Sequence, residues 1–413
     1  MKVKRTLLIA VPLAACTISA SAQVTLPPIN ISGQFEYSIS DRQGLTEQGD
    51  NEHRQRSHPG VLLAFGSVLP LDNSGLSAEL FVSTKLVTGD ATPAWTNSFG
   101  NREAWGGINS PYGAVRFGRQ WLDSYINVLD PYASGGNIGE MSELGTGAGK
   151  GYPAGLTRIS NAIWADNSLT YTSPKVAGVA TLRAQFYWNG SSFTDDKLVS
   201  ATAPNIAPNT KAANGYILGA RLDAPAARID LNDGSQKQNL KNALATSDNS
   251  PLADGVYDTK QIMVGGMLPI GTHSVRALLV QDKTQRPNGS SIKDNELILG
   301  GQYSVTPNFH LRPVFMIHKV DTVPNDANDY KQLRVELAYK MNLGLARGST
   351  SFWFRPTYRK WDTSGNKFTE LRAGFTTNFY AAPISHLTLH PIHHEKTELC
   401  IAAVLRVFLR PGR

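Results

Sequence analysis

Hydrophobic and polar residues alternate along most of this chain with a period of two. In residues 330–341 the apolar side chains occupy every second position: Leu333, Val335, Leu337, Tyr339 and Met341. The other positions carry Gln332, Arg334, Glu336 and Lys340. Successive side chains of a β-strand point to opposite faces, so this spacing predicts a strand with one apolar and one polar face.

The same alternation recurs from residue 29 to residue 379 and predicts an all-β protein. The predicted strands are 29–40, 58–69, 75–87, 101–109, 113–120, 167–174, 180–190, 215–223, 226–232, 259–269, 272–284, 295–305, 308–320, 330–341, 349–361 and 368–379. Their number is sixteen, and single-chain bacterial membrane barrels have an even number of strands.

The connections between these segments alternate in length. Short turns, such as Ser110-Pro111-Tyr112 and Pro269-Ile270-Gly271, alternate with longer polar connections. The longer ones are 41–57, 88–100, 121–166, 190–214, 233–258, 285–294, 321–329 and 362–367. This alternation favours a 16-stranded antiparallel transmembrane β-barrel with short periplasmic turns and long external loops. A soluble all-β sandwich or propeller is the alternative, but neither predicts strict long–short alternation.

The N-terminus carries the features of an export signal. Lys2, Lys4 and Arg5 precede an apolar stretch, and Ala-Ser-Ala at 20–22 predicts cleavage before Gln23, so that residues 1–22 form a signal peptide. A lipoprotein signal that ends at Cys16 is the alternative. No later stretch is long and apolar enough to predict a transmembrane helix.

Cysteine content and charge narrow the class further. After cleavage only Cys400 remains, so no intrachain disulfide is expected. The formal net charge of +7 comes largely from the signal and from the last 34 residues, which leaves a nearly neutral body. A nearly neutral body gives no support to nucleic-acid binding, for which a basic face is expected.

Strand parity predicts which charged residues line the lumen, because a charge on the lipid face costs about 2–4 kcal/mol at mid-membrane. The arginines on the polar face are Arg116, Arg183, Arg221, Arg228, Arg276, Arg312, Arg334, Arg355, Arg359 and Arg372. The acids on that face are Glu36, Glu79, Asp230, Glu296, Glu336 and Glu370. Arginine outnumbers carboxylate, which predicts weak anion preference. Arg119 falls on the apolar parity, so we expect it at the rim, beyond a twist or bulge.

The longest connection, 121–166, is acidic. It carries Asp123, Asp130, Glu140, Glu143 and Asp166. If this loop folds inward, its carboxylates would face the arginine-rich wall across a narrow gap and produce a field that orients dipolar solutes. The simpler alternative is that the arginines pair with neighbouring carboxylates.

Two motifs beside this loop resemble the Gram-negative general porins, in particular their β-proteobacterial branch. They are Gly-Ala-Val-Arg-Phe-Gly-Arg-Gln at 113–120 and Asn-Ser-Leu-Thr-Tyr-Thr-Ser-Pro at 167–174. Together with the strand count, the resemblance covers residues 23–379. It implies a homotrimer of 16-stranded barrels in the cell outer membrane, in contact with its lipid. It also implies that loop 3, which is the connection 121–166 in this chain, folds into the pore.

The chain departs from this family at two places. Loop 3 lacks the usual acidic-aromatic-Gly turn around 133–137. Phe379 occupies the position of the family's C-terminal phenylalanine, yet an atypical extension, 380–413, follows it. Translation past the natural end, through a frameshift or a lost stop codon, is our hypothesis for this extension.

These features predict a porin, a water-filled channel for passive diffusion of small hydrophilic solutes and ions. No catalytic residues, cofactor or metal site are predicted, since passive diffusion needs none. A surface-exposed structural or adhesin barrel is the first alternative, and an outer-membrane barrel hydrolase is the second.

Overall fold

The computed structural model describes twelve parts of the chain. They are 28–45, 51–71, 75–87, 100, 102–133, 162–188, 192–193, 214–240, 255–321, 329–341, 349–362 and 367–380. Apart from Ile29, the first residue of the first strand, all strand residues belong to one compact unit that covers residues 30–382. The predicted signal peptide, the last 33 residues of the predicted extension, Glu140 and Glu143 lie outside the described residues.

Long strands dominate this part of the chain. They are β1 Ile29–Leu45, β2 Asn51–Pro70, β3 Ser77–Val87, β4 Glu103–Ser110, β5 Gly113–Trp121, β6 Ala162–Thr172, β7 Ala180–Tyr187, β8 Ser192–Phe193, β9 Asn214–Ala224, β10 Ala227–Leu240, β11 Gly255–Ile270, β12 His273–Gln285, β13 Ser291–Ser304, β14 Phe309–Asp321, β15 Tyr330–Met341, β16 Ser349–Trp361 and β17 Lys367–Tyr380. A π-helical turn, Ser124–Leu129, and a one-turn helix α1, Asp130–Ala133, follow β5.

The strands form one closed antiparallel sheet. Each long strand pairs with its neighbours in the sequence, and β1 pairs with both β2 and β17. The closing ladder runs from Ser32 opposite Tyr380 to Gly44 opposite Phe368. The two-residue β8 pairs with β6, as β7 does, so it adds no further position around the barrel. The predicted 16-stranded antiparallel barrel is confirmed.

Several strands are longer than predicted. The predicted loop 233–258 is wrong in part, because β10 continues to Leu240 and β11 begins at Gly255. The predicted long loop 285–294 is instead a tight turn over 286–290, where Gly289 has a φ of +83°. In both places most of the outward side chains are polar, and Lys237 and Lys283 are exposed. The ladder continues there without a regular alternation of apolar and polar residues, so hydrophobic periodicity does not mark it.

The outer face of the barrel is apolar. On β12, Leu279 is 55% exposed, whereas its neighbour Leu278 is fully buried inside. Exposed tyrosines lie where the strands meet the short-turn rim: Tyr112, Tyr171, Tyr303, Tyr339 and Tyr380. An apolar band bordered by aromatic side chains is the surface that a transmembrane barrel presents to lipid.

The inner face collects the polar side chains. Buried on it are Ser38, Arg183, Gln185, Asp230, Gln261, Arg276, Asp294, Gln332, Arg334, Glu336, Arg355, Glu370 and Arg372. These positions alternate along each strand with exposed apolar ones, as on β10, where Asp230 lies between Ile229 and Leu231. The two faces therefore follow the parity that the sequence predicts.

We expect a charge on the outer face to destabilise the barrel according to its depth. Leu279→Lys should lower the free energy of unfolding by about 2–4 kcal/mol, because the ammonium would enter the apolar band. Gln281→Lys is the matched control, since it lies on the same face of β12 but beyond that band, where the cost falls to about 0–1 kcal/mol. Urea unfolding in lipid vesicles measures both, and equal losses would contradict a lipid-facing surface.

Candidate functional site

After β5 the chain turns into the barrel and crosses its interior. We call residues 122–133 the inner segment. In the described ladder β5 pairs with β4 and β6, yet the π-helical turn contacts β10 and β11, and α1 contacts β12 and β13. These strands lie on a distant part of the wall, so the inner segment reduces the cross-section of the lumen.

An apolar cluster holds the inner segment against the wall. Its buried side chains are Leu122, Tyr125, Val128, Leu129 and Tyr132. They pack against inward-facing residues of β9 to β14, namely Ile217, Met263, Leu278, Val280, Ile298, Val314 and Met316. Burial of this apolar surface favours the inward position of the segment over one exposed to water.

Two glycines make room for this contact. A β-carbon at Gly265 on β11 would lie 2.6 Å from the Tyr132 ring. A β-carbon at Gly219 on β9 would lie 2.7 Å from a carboxylate oxygen of Asp123. Both distances are shorter than van der Waals contact, so the segment sits where the wall has no side chain.

Asp123 begins the inner segment with an ion pair. Its Oδ1 lies 2.7 Å from Arg183 Nε, and both side chains are buried. The Asp123 backbone N–H donates to Gln185 Oε1 at 2.9 Å, and Asn127 Nδ2 donates to Asp123 Oδ1 at 2.7 Å. Asp123 was predicted to face arginines across an open gap, but it contacts Arg183 directly. The separated-charge arrangement is therefore wrong for this residue, because burial requires a close partner.

Three further wall arginines contact the inner segment. Arg221 and Arg228 each donate from Nη2 to the carbonyl oxygen of Asn127 at 2.7 Å. Arg276 donates from Nη1 to the carbonyl oxygen of Pro131 at 2.9 Å. These guanidinium groups satisfy backbone oxygens that the short helices leave without partners.

Asp230 is the acidic partner at this contact. It is fully buried and accepts from Arg221 Nε at 2.8 Å and from Arg228 Nε at 2.6 Å. The Tyr132 hydroxyl also donates to it at 3.1 Å. Burial, together with this carboxylate, raises the pKa of Tyr132, so its hydroxyl stays protonated and remains a donor.

The rest of the wall carries arginines paired with glutamates. Arg116 lies 3.3 Å from Glu79 and stacks on Trp105. Arg312 lies 2.7 Å from Glu336, which also binds Arg355. Arg372, directly opposite Arg355 in the ladder, lies 3.9 Å from Glu36.

Every predicted strand arginine therefore lies on the inner parity, but most contact a carboxylate or the inner segment. Asp130 is buried near Arg276. Arg119 lies at a register shift between Gly118 and Gln120 and pairs with Asp166. The apolar parity of Arg119 in the sequence predicted a twist or bulge here, and the register shift agrees with that prediction.

Sequence reasoning missed four inward carboxylates of the described strands: Glu103, Asp223, Asp282 and Asp294. Asp294 precedes the predicted start of its strand, and Asp282 and Glu103 lie near strand ends, beyond the clearest alternation. With them, the predicted excess of arginine over carboxylate on the described wall disappears.

The apolar inner patch was also missed. Its signal was available, because Leu278 to Val280, Leu297 to Leu299 and Val314 to Ile317 are apolar on both parities. Strands with two apolar faces are buried on both sides. Here lipid covers one face and the inner segment covers the other.

Within the described ranges, no helix is both long and apolar enough to span a membrane. No group of three or more histidine, cysteine or acidic side chains suited to a metal ion occurs there either.

Three solved structures with the same architecture are those of a porin, an outer membrane channel and an outer membrane protein. The anion-selective porin from Comamonas acidovorans aligns with a TM-score of 0.59 and 17% identity, over 85% of this chain and 99% of its own. The outer membrane channel DcaP of Acinetobacter baumannii aligns with a TM-score of 0.54 and 12% identity, over 88% of this chain and 100% of its own. A trimer form of OmpT from Vibrio cholerae aligns with a TM-score of 0.53 and 11% identity, over 86% of this chain and 99% of its own.

The closed barrel with its polar lumen and inner segment defines an outer-membrane diffusion channel. Residues 8–346 match the model of the Gram-negative porin family, and the chain belongs to this family. The chain is thus an outer-membrane porin for passive diffusion, and the predicted family, location and general function are confirmed. No curated protein matches the sequence.

We expect Gly265→Ala to disturb the constriction. The added methyl group would force the Tyr132 ring to move by about 1 Å to regain ordinary contact distance, at a cost of about 1–3 kcal/mol in the free energy of unfolding. The displaced ring moves toward the lumen, so single-channel conductance should fall. Gly266→Ala is the control, because a β-carbon there meets nothing within 4 Å. The same conductance in both variants would contradict this packing.

Proposed function

We propose that the channel prefers anions weakly and carries no catalytic activity. The proposal depends on the wall formed by β14 to β17 and β1 to β5. The apolar side chains of the inner segment cover this wall at Val314 and Met316 of β14, and Arg312 on the same strand lies closer to the short-turn rim. Its described inward arginines are Arg116, Arg312, Arg334, Arg355, Arg359 and Arg372, and its described inward glutamates are Glu36, Glu79, Glu103, Glu336 and Glu370. Six arginines and the inward Lys340 against five glutamates leave a small positive excess along the solute path.

Pairing keeps this preference weak. Glu336 binds both Arg312 and Arg355, and Glu79 lies beside Arg116. A paired guanidinium attracts a passing anion less than a free one, since the carboxylate cancels much of its field at a distance. Arg116 has a side chain that is 40% exposed, so it offers a passing anion more accessible surface than its buried counterparts.

Small hydrophilic solutes and ions are the substrates that suit this lumen. The described inner wall presents guanidinium, carboxylate and amide groups in place of hydration water, whereas the apolar inner patch is covered by the inner segment. Passage therefore depends on solute size and charge, as in other polar pores.

We also infer a homotrimer embedded in outer-membrane lipid. The support is the family membership and the likeness to a trimer form of OmpT from Vibrio cholerae. The mass of the detergent-solubilised protein, measured by light scattering with the detergent subtracted, tests this. A mass of one chain would contradict it.

We make two further proposals, one about each end of the chain. Residues 1–22 are a signal peptide that is removed on export. In the predicted extension 380–413, Tyr380 is the last residue of β17, and the residues that follow it have no role in the barrel. The second proposal agrees with a closing ladder that is complete at Tyr380. N-terminal sequencing of the membrane-inserted protein tests the first, and a deletion after Tyr380 that abolishes channel activity would contradict the second.

We expect the reversal potential in a salt gradient to have the sign of a mildly anion-selective channel. Arg116→Gln should move the anion-to-cation permeability ratio toward unity, because it removes an accessible positive charge from the lumen. Lys319→Gln is the matched control, since this exposed lysine is on the outer parity of β14. Planar-bilayer recordings measure all three proteins. Clear cation selectivity of the wild type would contradict the proposal, as would equal shifts in the two variants.

A further inference from the structure

Asp230 connects two parts of the inner segment through one carboxylate. Its Oδ1 accepts from Arg221 at 2.8 Å, and its Oδ2 accepts from both Arg228 at 2.6 Å and the Tyr132 hydroxyl at 3.1 Å. Its side chain is fully buried. A solute that passes through the lumen therefore does not touch it.

The two arginines extend the influence of Asp230 to the backbone. Each uses Nε for the carboxylate and Nη2 for the carbonyl oxygen of Asn127, at 2.7 Å in both cases. The planar guanidinium fixes the direction of these two donors relative to each other. A carboxylate that orients Nε therefore also orients Nη2, so Asp230 fixes both donors on Asn127.

The carboxylate also makes the close approach of the two arginines possible. Arg221 and Arg228 converge on one carbonyl oxygen, and without a negative charge between them their repulsion would drive them apart. Removal of one partner from such a buried group leaves the other charges uncompensated. The clamp, which we define as Asp230, Arg221, Arg228 and Asn127, therefore depends on the charge of Asp230.

We propose that Asp230 is the positioning residue that fixes the constriction of the pore. Through the arginines it holds the segment at Asn127, and through Tyr132 it holds the segment five residues later. Loss of its charge releases two arginines toward the lumen and lets the segment fluctuate against its apolar support. This inference rests on the proposed function, because it assumes a conducting pore.

Asp230→Asn tests the proposal with a side chain of nearly the same shape. We expect the open-channel current to lose its single level and to show excess noise, in addition to a shift toward anions. Glu79→Gln is the matched control, since it also removes one carboxylate beside an inner arginine but lies on β3, away from the clamp. It should shift selectivity in the same direction and leave the current as quiet as in the wild type.

A double-mutant experiment separates positioning from a general loss of stability. Arg228→Met should produce the same noise as Asp230→Asn, and the double variant should add no more, because both changes open one clamp. Additive noise in the double variant would overturn the proposal. If Asp230→Asn does not fold, as judged by heat-modifiable electrophoretic mobility, Tyr132→Phe removes only the hydroxyl and should still raise the noise above that of the wild type.

The outcomes for the proposed function and for this inference are distinct. A wild type without conductance would refute the channel itself, and a cation-selective wild type would refute the anion preference. A conducting wild type together with a quiet Asp230→Asn channel that behaves like Glu79→Gln would overturn only the role of Asp230. In that case the residue would act as a lumen charge and would not position the segment.

Discussion

The closed hydrogen-bonded ladder is the constraint on which the rest of the structure depends. In the hydrocarbon of a membrane every backbone N–H and C=O needs a partner, so a sheet must close on itself. Here β1 pairs with β17, and alternate side chains then face lipid and lumen. Charged side chains are excluded from the lipid-facing side. Arginines and carboxylates therefore lie close together on the inner face of the barrel.

This crowding decides what the charges do. Most arginines on the described lumen wall contact a neighbouring carboxylate or a backbone oxygen, as Arg183 contacts Asp123 and Arg276 contacts Pro131. Much of the positive charge therefore serves to fix the inner segment, and a smaller part remains to act on solutes. Because most of these arginines have such a partner, a wall rich in arginine is compatible with the weak anion preference that we propose.

Alternation was sufficient to predict most strands, their order and the face of each wall arginine, because lipid favours apolar side chains at every second position of a membrane-spanning strand. It failed where lipid has no influence. The end of β10 and the start of β13 carry mainly polar outward side chains, and Asp294 was missed for that reason. The contacts of Asn127 and Asp123 could not be predicted, since they join parts of the chain that are distant in sequence, and no local pattern records such pairs. The apolar patch at Leu278 and Met316 was visible as strands that are hydrophobic on both faces, although its partner was not.

The swelling of liposomes that contain the purified protein tests the account most directly. Uncharged sugars of increasing size should enter at rates that fall steeply with molecular size, because a water-filled barrel narrowed by residues 122–133 admits solutes according to their cross-section. Swelling no faster than that of protein-free liposomes would contradict a continuous aqueous lumen, and rates independent of size would contradict the constriction.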